Sequence, residues 1–410
     1  MKKYVIIGNG VAAVGCIEGI RSVDLDSKIT VISEENHHVY GRPLISYYLE
    51  NKTDLERMNY RSKDFYEKNG CEVLYGRKAV KIDTAAKKVI LDDGKKLPFN
   101  EVCVATGSSP FVPPFEGLDS VENKFTFQTL DDALSLEKAA TKDSKVLIVG
   151  AGLIGLKCAE GLYGRVESIT VCDLADRILS SIFDSDSAEL MQRHIESKGI
   201  NFLLGNTVSR FDKTKAYMKS GEQIDFDILV LAVGVRPNTA LVKETGGEVN
   251  RGIIINDRME TSIKHIFAAG DCTEGDDSSV GAKRVLALLP NAYMQGHTAG
   301  INMAGGEKVF DKAIPMNSIG FFGLHAMTAG NAEGEVYEEK GENSLKRLFT
   351  KDGCLAGFIL IGITERAGIY TSLIREKTPL CTLNFDLLKK SATTASFSPE
   401  IRRKKFGGVV

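Results

Sequence analysis

A chain of 410 residues is too long for one hydrophobic core and predicts two or three domains. Hydrophobic residues at 43%, charged residues at 26% and a formal net charge of −2 leave no broad positive field, which argues against nucleic acid or an anionic membrane as partner. No apolar run approaches the ~18 to 20 residues of a membrane span, and the eight cysteines never fall as CxxC or CxxxxC, which fits a reducing cytoplasm and offers no metal site.

In chain order, residues 4–8 predict a strand, 10–22 a helix and 28–33 a second strand. The opening "MKKYVIIGNGV" reads as that strand and not as a leader, because "GNG" interrupts the apolar run. A helix is expected over 62–69, with Ser62 as N-cap and Gly70 as its stop. Residues 80–99 alternate in short runs between turn residues, as a β-meander does. A strand at 101–105 leads into "ATGSSPFVPP", whose prolines make a stiff exit. Thr129, Asp131 and Asp132 open another helix, after which 145–149, 152–164 and 168–173 repeat the N-terminal strand–helix–strand order. Strands are expected near 200–204 and 228–232 with a second meander between them. "GVRPN" (234–238) then makes a second exit, and "IFAAGD" (266–271) a strand ending on Gly and Asp. Residues 315–385 read as a separate α+β domain with a helix at about 364–376, and the basic tail "SPEIRRKKFGGVV" as loose.

Two glycine turns dominate this pattern. Gly8, Gly10 and Ala13 form G-x-G-x-x-A after "YVII", and Gly150, Gly152 and Gly155 form G-x-G-x-x-G after "VLIV". In such a turn the first glycine takes a backbone angle closed to other residues, the second admits a pyrophosphate, and the third position lets helix and strand close up. The helix start then offers unpaired N–H groups to the phosphates. Each turn also has an acid at the end of the next strand, roughly 20 residues on, suited to a ribose diol: Glu34 or Glu35 for the first, Asp173 for the second. Two dinucleotides on one chain imply a redox relay from a nicotinamide to a flavin.

The motifs "GNGVAA", "ATGSSP", "GAGLIGLKCAE", "AVGVRPN" and "IFAAGDC", in that order, resemble the pyridine nucleotide-disulfide oxidoreductase family over about residues 1–380. The resemblance implies an α/β fold with two Rossmann-like domains. An FAD domain (1–112 and 237–312) would enclose an NAD domain (113–236), followed by a C-terminal α+β interface domain (313–390) and a tail (391–410). It implies FAD contacts from Gly8, Gly10, Val11, Ala12, Ala13, Glu34, Glu35, Arg42, Pro43, Val80, Ala105, Thr106, Gly107, Gly270 and Asp271, the last on the ribityl chain. Asn291 and Ala292, in "PNAYMQG", would start a helix aimed at the flavin's pyrimidine edge. NAD contacts would come from Gly150, Gly152, Leu153, Ile154, Gly155, Asp173, Arg177 and Gly234. Glu160 is the catalytic candidate, an acid hydrogen-bonding the nicotinamide carboxamide beside the flavin.

Asp173 favours NADH, because a carboxylate accepts from a 2′-OH and repels a 2′-phosphate; Arg177 keeps NADP open. The stretch "HHVYGRPLISYYLE" (37–50) contains no cysteine, which argues against thiol relay chemistry there. It resembles the "RP" segments of rubredoxin reductases, ferredoxin reductases and the NADH-binding part of nitrite reductases. In that context Arg42 would lie against the FAD phosphates, and Tyr47 stands where several ferredoxin reductases carry a lysine. The implied partner is a small electron carrier, rubredoxin or ferredoxin-like, and a homodimer is a family expectation. The alternatives are an NADH oxidase, a peroxidase or a coenzyme A disulfide reductase-like enzyme, or a non-catalytic flavin- and NADH-binding sensor or assembly subunit. Cys272, next to "AAGD", is the thiol to watch.

Overall fold

The computed structural model describes residues 1–406. They form two compact units: Met1–Asp176 with Ile200–Asp276 and Lys283–Asp311, and Arg177–Gly199 with Asp277–Ala282 and the chain from Lys312 onward.

In the first unit the chain runs through β1 (Lys3–Ile7), α1 (Val11–Arg21), β2 (Lys28–Ser33), α2 (Leu44–Leu49), β3 (Cys71–Tyr75), β4 (Glu101–Val104), β5 (Lys124–Phe125) and α3 (Leu130–Ala139). It continues with β6 (Lys145–Val149), α4 (Leu153–Leu162), β7 (Ser168–Asp173), β8 (Asn201–Leu204), β9 (Ile228–Leu231), β10 (Ile266–Ala268) and α5 (Leu289–Ala304). Two wholly parallel five-stranded sheets result, in the orders β10-β4-β1-β2-β3 and β8-β7-β6-β9-β5. Both are Rossmann-like, so the chain is α/β as the two glycine turns imply. The central strands read as unbroken apolar runs because both faces are covered, by helices and by the meander strands: Tyr4–Ile7 and Val146–Val149 are all buried, and Leu147 and Val149 share a core with Phe211 and Met218. The first sheet takes its last strand, β10, from beyond the entire second sheet. The short strands Ser108–Pro110 and Val235–Pro237, on either side of that second sheet in sequence, pair antiparallel.

The expected meanders form as three-stranded sheets, over Ala79–Asp83, Lys88–Leu91 and Lys96–Pro98, and over Val208–Asp212, Lys215–Met218 and Gln223–Asp225. The helix expected over 62–69 shrinks to one turn, Phe65–Lys68. Ser62 gives its hydroxyl to Asp64 at 2.6 Å and caps nothing, and so short a segment cannot offset the cost of helix nucleation.

The second unit is built on an antiparallel sheet in the spatial order Met316–Phe321, Leu324–Gly330, Cys354–Ile361, Leu345–Lys351, Glu335–Lys340. Helix Ala367–Arg375 covers it through Tyr370 and Leu373, which share a core with Leu348 and Phe358. The tail is not loose over its described part. Ser398 Oγ accepts from Ile401 N at 3.3 Å, Pro399 occupies the first turn, and helix Pro399–Phe406 follows. The last four residues of the expected tail lie outside the described residues.

Helix Ser185–Glu196 belongs to this second unit. Arg347, whose side chain is 14% exposed, holds Asp184 at 2.5 Å, Asp186 at 2.6 Å and Glu338 at 2.5 Å. Burial works to raise the Asp184 carboxyl, but hydrogen bonds from Ser187 and Arg347 outweigh it and hold it below the usual range. A carboxylate with a lowered folded pKa adds stability above its unfolded pKa and loses it as pH falls through the folded one. Arg347→Ala therefore lowers the melting of this unit by about 1 to 2 kcal/mol, solvent screening at the half-exposed acids keeping it small. It also moves acid unfolding to higher pH, and circular dichroism at pH 7 and along an acid titration checks both.

Candidate functional site

The two glycine turns repeat each other closely. Gly8 has φ +116°, and a Cβ there would lie 2.1 Å from the Ala105 carbonyl; Gly150 has φ +117°, with a Cβ 2.3 Å from the Ala232 carbonyl. Both positions need glycine for backbone angle and for the close exit of a neighbouring strand. Gly10 and Gly152 are the N-caps of α1 and α4, neither helix start has a side-chain cap, and neither first turn carries an acid. A Cβ on either would meet nothing within 4 Å. Each helix therefore starts beside open space at its glycine, with no side-chain cap and no acid in its own first turn to occupy the first N–H groups, the condition for a phosphate cradle. Val11, Ala12 and Ala13 are buried, as is Gly155, where a Cβ would fall 1.9 Å from the Gly150 carbonyl; Leu153 and Ile154 are half-buried.

The acids behind the turns differ. Asp173 accepts from Ala151 N at 2.6 Å and Ala175 N at 2.8 Å, so its carboxylate lies against the second turn. Arg177 opens the second unit and donates toward the Phe183 carbonyl at 3.4 Å. Behind the first turn, Glu34 is turned outward to Lys78 at 3.0 Å, with 70% of its side chain exposed. Glu35 points inward, accepting from Arg42 Nη2 and from Tyr40 Oη at 2.6 Å.

Arg42 also donates to the Gln128 carbonyl at 3.2 Å, and Tyr40 Oη accepts from Leu130 N at 2.9 Å, which ties this segment to the start of α3. Pro43 is the N-cap of α2. Burial works against the Arg42 charge, but Tyr40 and Glu35 outweigh it and its pKa is raised. Yet 41% of its side chain is accessible, which marks a group lining a recess. Asp271 faces the same field: burial pushes its carboxyl up and Arg42 opposes the shift. Gly270 donates to Gln295 Oε1 at 2.8 Å, and a Cβ on it would lie 3.0 Å from Ala12 Cβ and 3.6 Å from Ala292 Cβ. The first turn, the "AAGD" strand end and the start of α5 therefore converge, with Asn291 buried beside Ala292.

Thr106 and Asn238 exchange bonds at 2.9 Å, and Asn238 N donates to the Gly107 carbonyl at 2.9 Å, pinning the two exits together. Gly234 has φ +111° with open space beside it, and Val80 sits exposed on its meander strand.

What the sequence reading missed is the seam that holds α5 on α1. A Cβ on Gly15 would lie 2.3 Å from the Tyr293 carbonyl, on Gly19 2.3 Å from that of His297, on Gly296 2.0 Å from that of Ala12 and on Gly300 2.1 Å from that of Cys16. The two helices touch backbone to backbone, fixing the start of α5 against the first glycine turn. Its signal was present as Gly15-x₃-Gly19 and Gly296-x₃-Gly300, small residues repeating on one helix face.

Glu160 is 4% exposed on α4 and bound to Lys157 Nζ at 2.6 Å. Cys272 is wholly buried, its thiol on the Val104 and Ala269 carbonyls at 3.4 Å each, and burial pushes it up to about 12, so it is an inert packing thiol. Among the described residues no group of three or more His, Cys, Asp or Glu stands together as a metal would require. No helix of the described chain is long and apolar enough to cross a membrane.

Both helix-start cradles fit dinucleotides: each has a bare glycine, uncapped N–H donors and an acid behind it. This is the architecture of flavoprotein reductases with two dinucleotide domains. Residues 2–296 match the family model described as pyridine nucleotide-disulphide oxidoreductase. The chain is 32% identical to the NADH-dependent phenylglyoxylate dehydrogenase subunit epsilon of Aromatoleum evansii, with 93% of each chain covered. It is also 32% identical to the assimilatory nitrate reductase electron transfer subunit of Bacillus subtilis, over 92% of this chain and 50% of that one, so it spans about half of that relative. A solved covalent complex of putidaredoxin reductase with putidaredoxin superposes with TM-score 0.88 at 22% identity, over 96% of this chain and 97% of that one. The chain belongs to the pyridine nucleotide-disulphide oxidoreductase family and is an NAD(P)H-dependent flavoprotein oxidoreductase.

Proposed function

We propose that the chain oxidises NADH through bound FAD and passes the electrons to a small carrier protein, a rubredoxin or a ferredoxin-like partner. The observation that carries this reading is the pair of open cradles at Gly10 and Gly152, one per parallel sheet. FAD supplies the chemistry when bound: it takes two electrons from a nicotinamide and gives them up singly or together. The chain's residues bind and orient. The α1 N–H groups hold the flavin's pyrophosphate, with Gly8, Val11, Ala12 and Ala13 shaping the turn. Asp271 accepts from the ribityl hydroxyls, and Arg42 neutralises phosphate from its recess. Ala105, Thr106 and Gly107 would border the bound flavin, and the start of α5 at Asn291 and Ala292 would lend its dipole to negative charge on it. The α4 N–H groups, with Leu153 and Ile154, hold the second pyrophosphate, and Asp173 takes the ribose diol. Glu160 orients the carboxamide.

Two features support a protein acceptor. The segment 37–50 has no thiol, and Cys272 is sealed. The curated relatives include a protein named as an electron transfer subunit, and the superposed reductase was solved joined to a putidaredoxin. The proposed domain limits stay at 1–112 with 237–312 for FAD and 113–236 for NAD.

The test is an acceptor screen. NADH-reduced protein should be reoxidised faster by rubredoxin or a [2Fe–2S] ferredoxin than by air or coenzyme A disulfide. Faster turnover with air or the disulfide would assign an oxidase or disulfide reductase instead. Asp173→Ala should raise KM for NADH about tenfold and shrink the NADH-over-NADPH preference, the loss of one charge-assisted hydrogen bond. Steady-state kinetics with both nucleotides reads it.

A further inference from the structure

We propose that Lys157 is a positioning residue for Glu160, and that the ring of Tyr47 holds Lys157 in place. The inference rests on the reading of Glu160 as the nicotinamide contact. Glu160 lies near the C-terminal end of α4, where the helix dipole opposes a negative charge, and it is 4% exposed. Such a carboxylate needs a counter-charge nearby. Lys157 supplies it at 2.6 Å from three residues earlier on the same helix, with 20% of its own side chain exposed. Helix stability does not explain the pair, because the favourable order places the acid before the base and here the base comes first. The other cation near Tyr47, Lys52, is hydrogen-bonded to Glu50 and is also attracted by Glu160, so Glu160 has Lys157 as its hydrogen-bonded partner and Lys52 as a second positive charge nearby.

What fixes Lys157 is α2. A Cβ on Gly161 would lie 3.0 Å from Leu49 Cβ and 3.2 Å from the Ser46 carbonyl, so α2 packs hard against α4 at that point. This brings the Tyr47 ring to 4.9 Å from Lys157 Nζ, within range of a cation–π contact, while Lys52 Nζ stands 5.8 Å from the same ring. The face of Tyr47 thus restrains the long lysine stem, and the ammonium restrains the acid.

The test uses the FAD-loaded protein and two readouts: equilibrium NAD⁺ binding to the oxidised form by flavin fluorescence, and KM and kcat for NADH reduction. Lys157→Ala should weaken NAD⁺ binding and raise KM about tenfold while kcat stays within about twofold. Lys157→Arg should recover most of the loss. Tyr47→Lys combined with Lys157→Ala should recover part of it, because an ammonium again reaches Glu160 from the other helix; a purely structural lysine would not be rescued by a relocated charge. Where Lys157→Ala fails to fold, Lys157→Met keeps the stem and removes only the charge. A folded Lys157→Ala or Lys157→Met that binds NAD⁺ as the parent does, while Glu160→Gln binds it weakly, overturns the role of Lys157 and leaves that of Glu160 standing. Glu160→Gln without effect overturns both.

Discussion

Gly296→Val yields a protein that loses its flavin and melts far below the parent. The seam between α1 and α5 has no slack: the first side-chain atom at 296 would sit 2.0 Å from the Ala12 carbonyl oxygen, and that oxygen belongs to the helix behind the first glycine turn. A flexible side chain could turn aside, but backbone cannot, so the helices must separate by an ångström or more. Overpacking of a close contact costs about 3 kcal/mol, and here the movement also displaces Ala292 and Gly270 from the recess they share with Ala12. Flavin content per chain, read from absorbance, should fall to a small fraction of the parent's while secondary structure persists at low temperature. Gly368→Val, at a helical glycine whose Cβ would meet nothing within 4 Å, is the control and should keep its flavin.

The second large effect separates the two cradles. Gly10 and Gly152 have φ −96° and −84°, angles any residue adopts, and a methyl on either meets only open space. Alanine at either position therefore costs the ligand-free protein only about 1 kcal/mol or less, the difference between glycine and alanine at a helix N-cap. It does occupy the space a pyrophosphate needs to approach the helix start. Gly10→Ala should lose FAD, giving a pale protein. Gly152→Ala should stay yellow, with NADH reduction of the flavin slowed about a hundredfold at low NADH and partly recovered at high NADH, since binding is what fails. Stopped-flow bleaching at several NADH concentrations reads the difference. Equal effects of both substitutions on flavin content would contradict the assignment of one dinucleotide to each turn.

The glycine turns were legible because they combine several local requirements within thirty residues: an apolar strand, a glycine at an angle closed to others, and an uncapped helix start. Other features were legible only in part. Sequence left Glu34 and Glu35 equal as ribose acids; adjacent residues at a strand end point to opposite sides, and only the fold shows that Glu35 turns in toward Arg42 while Glu34 meets Lys78. The glycine seam repeats every four residues in two helices some 280 positions apart, and no local rule pairs them. Lys157 carries no signal of its own in the sequence, since its partner Tyr47 comes from a separate element brought near through Gly161. The helix after Ser398 was readable from its Ser-Pro-Glu start, but the basic charge of the segment pointed toward a loose tail.

The most direct test is anaerobic titration of the purified protein with NADH while its visible spectrum is recorded. The expected result is one tightly held FAD per chain, bleached by one equivalent of NADH and with no long-wavelength thiolate band. A protein that is colourless and takes up no flavin on reconstitution, or whose bound flavin keeps its oxidised spectrum in excess NADH, would contradict it.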